Sequence, residues 1–185
     1  MSFSAEFHGN CGSGILLSNG GQRAARNYPN AEFDNGIVFS KCILAENTIF
    51  EVIIEKKTAL WSGSLAIGVT LNDPSSISVV PANVSHLKNG TWVLSGTSVL
   101  KDGVSSTDVY SGNLEELSVG DKVGVMRLIN NELHFFINGE DMGCAAKDIP
   151  SNVFGVVDIY GRCCQVKLCN GDSLVDSETH CDGNV

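Results

Sequence analysis

The cysteine and histidine side chains near the C-terminus are the residues of this sequence with the most metal-binding chemistry. They occur as Cys163-Cys164, Cys169 and the pair His180-Cys181. Structural zinc sites usually take cysteines separated by about two to four residues, whereas adjacent cysteines on a strand point to opposite faces of the sheet. This spacing does not fit a zinc site, so we predict no metal ion and no cofactor.

Groups that could do acid–base or nucleophilic chemistry are scattered. Glu115 and Glu116 lie in a turn with no apolar flanks to raise a carboxyl pKa. His134 alternates with apolar residues on a strand pattern, which favours a hydrogen-bonded histidine on the polar face. The glycine-rich residues 9–14 do not have the spacing of a dinucleotide fingerprint, and neither a nucleophile elbow nor a phosphate-binding loop occurs. The sequence therefore predicts a protein that is not an enzyme.

The charge balance excludes two classes of partner. The chain carries 12 basic and 21 acidic residues, for a net charge of −9. Nucleic acids and anionic membranes both need a basic surface, so we expect neither as a partner. Residues 172–185 contain four acidic residues and no lysine or arginine. We expect them to be a flexible acidic tail that follows a single domain formed by residues 1–171.

Cysteine usage indicates the compartment. The seven cysteines are an odd number, two of them are adjacent, and no secretion signal is visible. This pattern favours reduced thiols and a cytoplasmic location. Cys42 and Cys144 stand beside apolar residues, and we expect both to behave as small hydrophobic residues of the core.

Two turn signals organise residues 120–168. The pairs Asn130-Asn131 and Asn138-Gly139 both tolerate the positive φ that a two-residue hairpin loop requires. We therefore expect residues 123–129 and residues 132–137 to be antiparallel strands, each ending at such a turn. The β-branched and aromatic residues on either side of the turns support this interpretation.

Alternation elsewhere extends the β prediction to the whole chain. Residues 65–72 alternate strictly, and the small residues Ala66 and Gly68 share one face, which indicates that another element packs close to that face. Residues 153–159 are apolar on both faces apart from Asp158, as in the interior strand of a layered sheet. With 20 glycines in the chain, we predict an all-β sandwich of two antiparallel sheets with irregular loops.

Six blocks of sequence resemble one known family. They are FHGNCGSGILLS at residues 7–18, NGIVFS at 35–40, FEVII at 50–54, WSGSLAIGVT at 61–70, WVLSG at 92–96, and LHFFINGEDMG followed by VFGVVDIYG within 133–161. In this order they resemble the neuralized homology repeat, a SPRY-like domain. The resemblance implies a concanavalin-like β-sandwich.

The resemblance also implies a function. Repeats of this family bind substrates or adaptors, and a ubiquitin ligase does the chemistry. We therefore expect a non-catalytic protein-interaction domain whose ligands are protein or peptide substrates and adaptors. Because the chain has no RING pattern of cysteines and histidines, the ligase would be a separate partner. Residues 26–34 form a longer loop than is usual in the family, so the identity of the partner is not carried over.

The candidate contact residues are arginine and aromatic residues, the types that dominate interface hot spots. They are Arg23, Arg26, Tyr28, Trp61, Tyr110, Tyr160 and Arg162. We expect them on loops, with Arg26, Tyr28, Tyr160 and Arg162 flanking strands and forming part of one site. The alternative is a lectin-like sandwich, which would place an exposed tryptophan beside a cluster of polar sugar-binding residues. No single short segment contains such a cluster.

Overall fold

A computed structural model describes residues 5–169, so the predicted acidic tail and its boundary lie outside the described residues. The strands are β1 (Ile15–Ser18), β2 (Arg23–Arg26), β3 (Ile37–Ile43), β4 (Phe50–Lys57), β5 (Leu65–Thr70), β6 (Thr91–Ser95), β7 (Ser98–Lys101), β8 (Val104–Ser105), β9 (Lys122–Arg127), β10 (Leu133–Ile137), β11 (Glu140–Ala146), β12 (Phe154–Ile159) and β13 (Cys163–Leu168). Two single-turn 3-10 helices, Pro74–Ser76 and Val84–His86, lie between β5 and β6. Within residues 5–169, no helix has the length and apolar character needed to cross a membrane.

The described strands form two antiparallel sheets. One sheet has seven strands in the order β1-β2-β13-β4-β9-β10-β11, and the other has six in the order β3-β12-β5-β6-β7-β8. Strand β12 lies between β3 and β5 and is buried along its whole length. The predicted all-β sandwich is therefore confirmed, as is the interior position of residues 153–159.

The core fills the space between the two sheets. Strand β4 contributes Phe50, Val52 and Ile54 from alternate positions, and β5 contributes Ile67 and Val69. Period-two alternation places such residues on one face of each strand, where they meet the other sheet. Each side chain buried in this way stabilises the fold by about 1.5–3 kcal/mol. The sandwich is thus a firm platform for the loops at its ends.

A second apolar layer covers the outer face of the six-stranded sheet. Val84 and Leu87, from the connection between β5 and β6, pack with Ala66, Val93 and Val156 of the sheet. The face that carries Ala66 is therefore covered by another element, as the small residues there predicted. This layer explains why strand β5 is buried on both faces.

The two predicted hairpins differ in their turns. Asn138 and Gly139 both have positive φ, 51° and 82°, and join β10 to β11 as a two-residue type I′ loop does. At the other turn only Asn131 has a positive φ. The amide of Leu128 donates to the carbonyl of Glu132, which leaves a three-residue loop in place of the two-residue loop predicted there.

Three other local features differ from what the sequence predicts. Residues 5–8 and residues 104–110 both have sequences typical of short strands, but residues 5–8 form only an isolated bridge, in which Phe7 pairs with Ser40, and the strand that begins at Val104 ends at Ser105. Cys42 and Cys144 are exposed and are not core residues. Apolar neighbours along the chain did not indicate burial, because adjacent strand residues face opposite ways and β11 is an edge strand.

Gly139→Val is expected to destabilise the domain by about 1–3 kcal/mol, because a β-branched residue would have to adopt the positive φ of this turn. No atom outside the turn lies within 4 Å of the added Cβ, so the loss reports backbone strain and not a clash. The measurement is the free energy of unfolding in urea. An unchanged value would contradict the type I′ turn.

Candidate partner-binding site

Three loops meet at one end of the sandwich: residues 27–36, residues 58–64 and residues 160–162. Backbone hydrogen bonds join them. Gly161 donates to the carbonyl of Phe33 at 3.2 Å, Arg162 to that of Gly63 at 2.9 Å, and Thr58 to that of Arg162 at 2.8 Å. We call this end the loop surface. Because these hydrogen bonds already order the backbone of the loop surface in the free protein, little conformational entropy remains to be lost when a partner binds.

Aromatic rings fill the centre of the loop surface. The ring of Phe33 packs edge-on against Trp61, with centroids 5.7 Å apart, and lies 5.6 Å from the ring of Tyr160. The indole of Trp61 donates to the carbonyl of Pro29 at 2.7 Å. Burial raises the pKa of Tyr160, whose hydroxyl lies 3.3 Å from Ser95 Oγ. These contacts hold the rings in place and join the loops to the sheet below.

Large side chains around these rings are open to solvent. Tyr28 is 66% exposed and Leu60 is 62% exposed, while Phe33 and Arg162 also reach the surface. Sequence reasoning did not single out Phe33 or Leu60 as contact residues. The sequence did contain signals for both residues. Phe33 lies in the loop that departs from the family, and Leu60 directly precedes Trp61 in a polar connection.

Arg26 lies beneath the loop surface and not on it. It is the last residue of β2, is only 6% exposed, and donates to the carbonyls of Gly161 and Cys163 at 2.6 and 3.3 Å. Burial lowers the pKa of this guanidinium. The expectation that Arg26 flanks its strand on an open loop is wrong, because its side chain points inward and hydrogen-bonds these two carbonyls. It supports the turn at residues 160–162 from below.

Comparison with known proteins identifies the family. The Neuralized family matches residues 7–170, which is most of the chain. The chain belongs to the Neuralized family. Neuralized-like protein 2 of Homo sapiens is 26% identical over 223 aligned positions, covering 88% of this chain and 76% of the relative, and the Mus musculus protein of that name gives the same figures.

Solved structures similar to this Neuralized domain confirm the fold. The neuralized-NHR1 domain of Drosophila melanogaster gives a TM-score of 0.74 at 21% identity, covering 90% of this chain and 98% of that one. The SPRY domain of human HERC1 gives 0.64 at 17% identity, with the same two coverages. Neuralized and SPRY domains are protein-interaction domains and are not known as enzymes. The predicted SPRY-like sandwich is therefore confirmed.

Two predicted contact residues of this Neuralized domain lie outside the loop surface. Arg23 forms an ion pair with Glu55 at 2.7 Å on the outer face of the seven-stranded sheet, and this hydrogen bond lowers the pKa of Glu55. Tyr110 donates to the carbonyl of Gly143 at 2.7 Å and packs edge-on against Phe135. Burial raises the pKa of Tyr110 to about 12. Tyr28, Trp61, Tyr160 and Arg162 are the predicted residues that the loop surface brings together.

Proposed function

We propose that this Neuralized domain is a non-catalytic module that captures a protein or peptide partner on its loop surface. The observation that carries the proposal is the exposure of Tyr28 and Leu60 beside a fixed aromatic cluster. Exposed apolar groups on a rigid frame are typical of interface hot spots, which combine aromatic anchors with little loss of entropy on binding. Arg162 adds a positive charge at the same place.

These features suggest the chemistry of the partner. Tyr28, Leu60 and Phe33 suit apolar side chains of a bound segment, and Arg162 suits a carboxylate beside them. An amphipathic segment with at least one acidic side chain therefore fits best. By analogy with the family, we propose that it belongs to a ubiquitin-ligase substrate or adaptor, and that the ligase is a separate protein.

The parent protein and its location are part of the same proposal. We propose that the domain is one repeat of neuralized-like protein 4, which the six sequence blocks resemble and which would place it in the cytoplasm and at the centrosome. The cysteines among the described residues are free thiols. Their state is compatible with a reducing compartment.

The triple variant Tyr28→Ala, Leu60→Ala and Arg162→Ala tests the loop surface. A central hot spot contributes at least ~2 kcal/mol on truncation, about thirtyfold in affinity, so capture of specific partners from cytosol should fall at least ~10-fold. All three side chains are exposed, so the melting temperature should stay within a few degrees. Quantitative mass spectrometry of the captured proteins and a thermal melt of the same samples supply the two readouts.

The matched control changes exposed apolar residues elsewhere: Val104→Ala with Ile129→Ala. Val104 is on edge strand β8, and Ile129 is in the β9–β10 loop near the start of β4, at the opposite end of the sandwich from the loop surface. The control should capture the same partners as the unchanged domain. If the triple variant also keeps them all, the loop surface is not the site. Specific binding on a glycan array would instead support the lectin-like alternative.

A further inference from the structure

A mixed cluster of metal-binding groups lies on the outer face of β10 and β11, at the edge of the seven-stranded sheet. His134 and Cys144 are direct cross-strand partners, and Glu132 precedes His134 by two residues on the same face. The carboxylate of Glu132, the imidazole of His134 and the thiol of Cys144 place one ligand atom each within 4.8 Å of the others. Neither the proposed partner site nor the core uses this cluster.

Asp141 fixes the orientation of the imidazole. Its carboxylate oxygens lie 2.9 and 3.0 Å from His134 Nδ1, and the amide of Gly143 holds Oδ1 at 2.8 Å. The other ring nitrogen, Nε2, faces Glu132 Oε2 at 3.1 Å. A carboxylate on one ring nitrogen, which leaves the other nitrogen to face a ligand group, is the arrangement that orients metal-bound histidines in proteins.

We propose that Glu132, His134 and Cys144 bind one Zn²⁺ ion and that Asp141 is a positioning residue for it. Carboxylate, imidazole and thiolate are the three ligand types of protein zinc sites. With metal–ligand bonds of about 2.0–2.3 Å, two tetrahedral ligand atoms stand roughly 3.3–3.5 Å apart, close to the separation between Glu132 Oε2 and His134 Nε2. Three protein ligands leave the fourth position to solvent.

Access and neighbouring charge are compatible with such a site. Cys144 is exposed on the edge strand, so an ion reaches its sulfur directly from solvent. Lys147 is a neighbouring cation, with its Nζ 3.9 Å from Glu132 Oε1, but its side chain is 72% exposed and free to turn outward. The sequence predicted the hairpin of β10 and β11 but not its register: shifts in the pairing place Cys144, and not Gly143, opposite His134.

The test titrates the reduced, chelator-treated full chain with Zn²⁺ and, for spectroscopy, with Co²⁺. We expect one ion to bind per chain and the melting temperature to rise by about 5–10 °C at a hundredfold excess over Kd. Cys144→Ser should abolish the thiolate-to-cobalt charge-transfer band and weaken binding at least ~10-fold, and His134→Gln should weaken it similarly. Asp141→Asn should weaken binding and keep the band, as expected of a positioning residue.

Cys42→Ser and Cys181→Ser are the matched controls, one at an exposed thiol on β3 and the other at a cysteine outside the described residues. Both should bind the ion as the unchanged chain does. The proposal is overturned if Cys144→Ser keeps the affinity and the band, or if Cys181→Ser loses them. It is also overturned if the chain binds no Zn²⁺ at millimolar concentration, in which case the cluster is only a hydrogen-bonded histidine. A melt of each metal-free variant checks that it is folded.

Discussion

Gly68→Ala is expected to destabilise the domain by at least about 3 kcal/mol, because a buried strand has no room for one more carbon. A Cβ at Gly68 would lie 1.9 Å from the carbonyl oxygen of Trp92 and 2.6 Å from the Cα of Val93. Both are backbone atoms of β6, so no side-chain rotation relieves the contact. A domain of this size loses roughly 2–4 °C per kcal/mol, which predicts a fall in melting temperature of about 6–12 °C or more.

Gly9→Ala is the matched control for this change. Gly9 is exposed, and its added Cβ would have no atom outside its chain neighbours within 4 Å. The control should melt within about 2 °C of the unchanged protein, since surface substitutions usually alter stability by less than ~0.5 kcal/mol. Equal melting of the two variants would show that β5 and β6 are not packed as closely as described.

The strands that could be predicted from sequence are those in which the pattern of side chains itself indicates which faces of the strand are buried. Residues 65–70 alternate large and small apolar groups, and such a pattern can be buried only as a strand between two layers. Strand β11 shows the limit of this approach. Its sequence, EDMGCAA, has acidic and small residues with low strand propensity. It becomes a strand because the turn at Asn138 and Gly139 returns the chain along β10.

The candidate site was predictable to the extent that residue type indicates exposure. Tyr28 and Arg162 follow strands in irregular, polar segments, and both lie on the loop surface. Arg26 is an arginine like Arg162 and also lies at the end of a strand, but its hydrogen-bond partner Gly161 is 135 residues away in the chain. Burial that depends on so distant a contact leaves no local signal. The prediction that Arg26 lies on an open loop was therefore wrong, whereas Tyr28 and Arg162 do lie on loops.

Asp158 is a second buried ionisable residue below the loop surface, in addition to Arg26. It is on β12, and its Oδ2 accepts from the amide of Val84 at 2.9 Å, while Oδ1 has no hydrogen-bond partner among residues 5–169. Burial raises the pKa of this carboxyl to about 7; the negative charge of Asp34 adds to the rise, and the Val84 amide and Arg26 oppose it. The folded protein therefore holds a proton here over a pH range in which the unfolded chain has released it.

Asp158→Asn should remove this proton linkage. In the unchanged protein the carboxyl has a pKa near 3.9 when unfolded and about 7 when folded. Its favourable contribution is complete below pH ~4 and is lost as pH rises through ~7, because the folded state binds the extra proton. Between pH 5 and pH 8 the unchanged protein should lose about 2–3 kcal/mol relative to the variant, or roughly 5–10 °C. Thermal melts of both proteins across this range measure the difference.

Asp108→Asn, at an exposed aspartate of the loop after β8, is the matched control. Subtracting its pH dependence removes the effect of losing one acidic group from an acidic protein, because that general effect acts at both positions. The pH dependence of stability that remains after this subtraction is caused by the burial of Asp158 beneath Val84. A difference between Asp158→Asn and the unchanged protein that stays constant from pH 5 to pH 8 would show that this carboxyl is already ionised in the folded state. The connection between β5 and β6 would then have to open to water above it, since an ionised carboxylate is stable only where its oxygens are solvated or hydrogen-bonded.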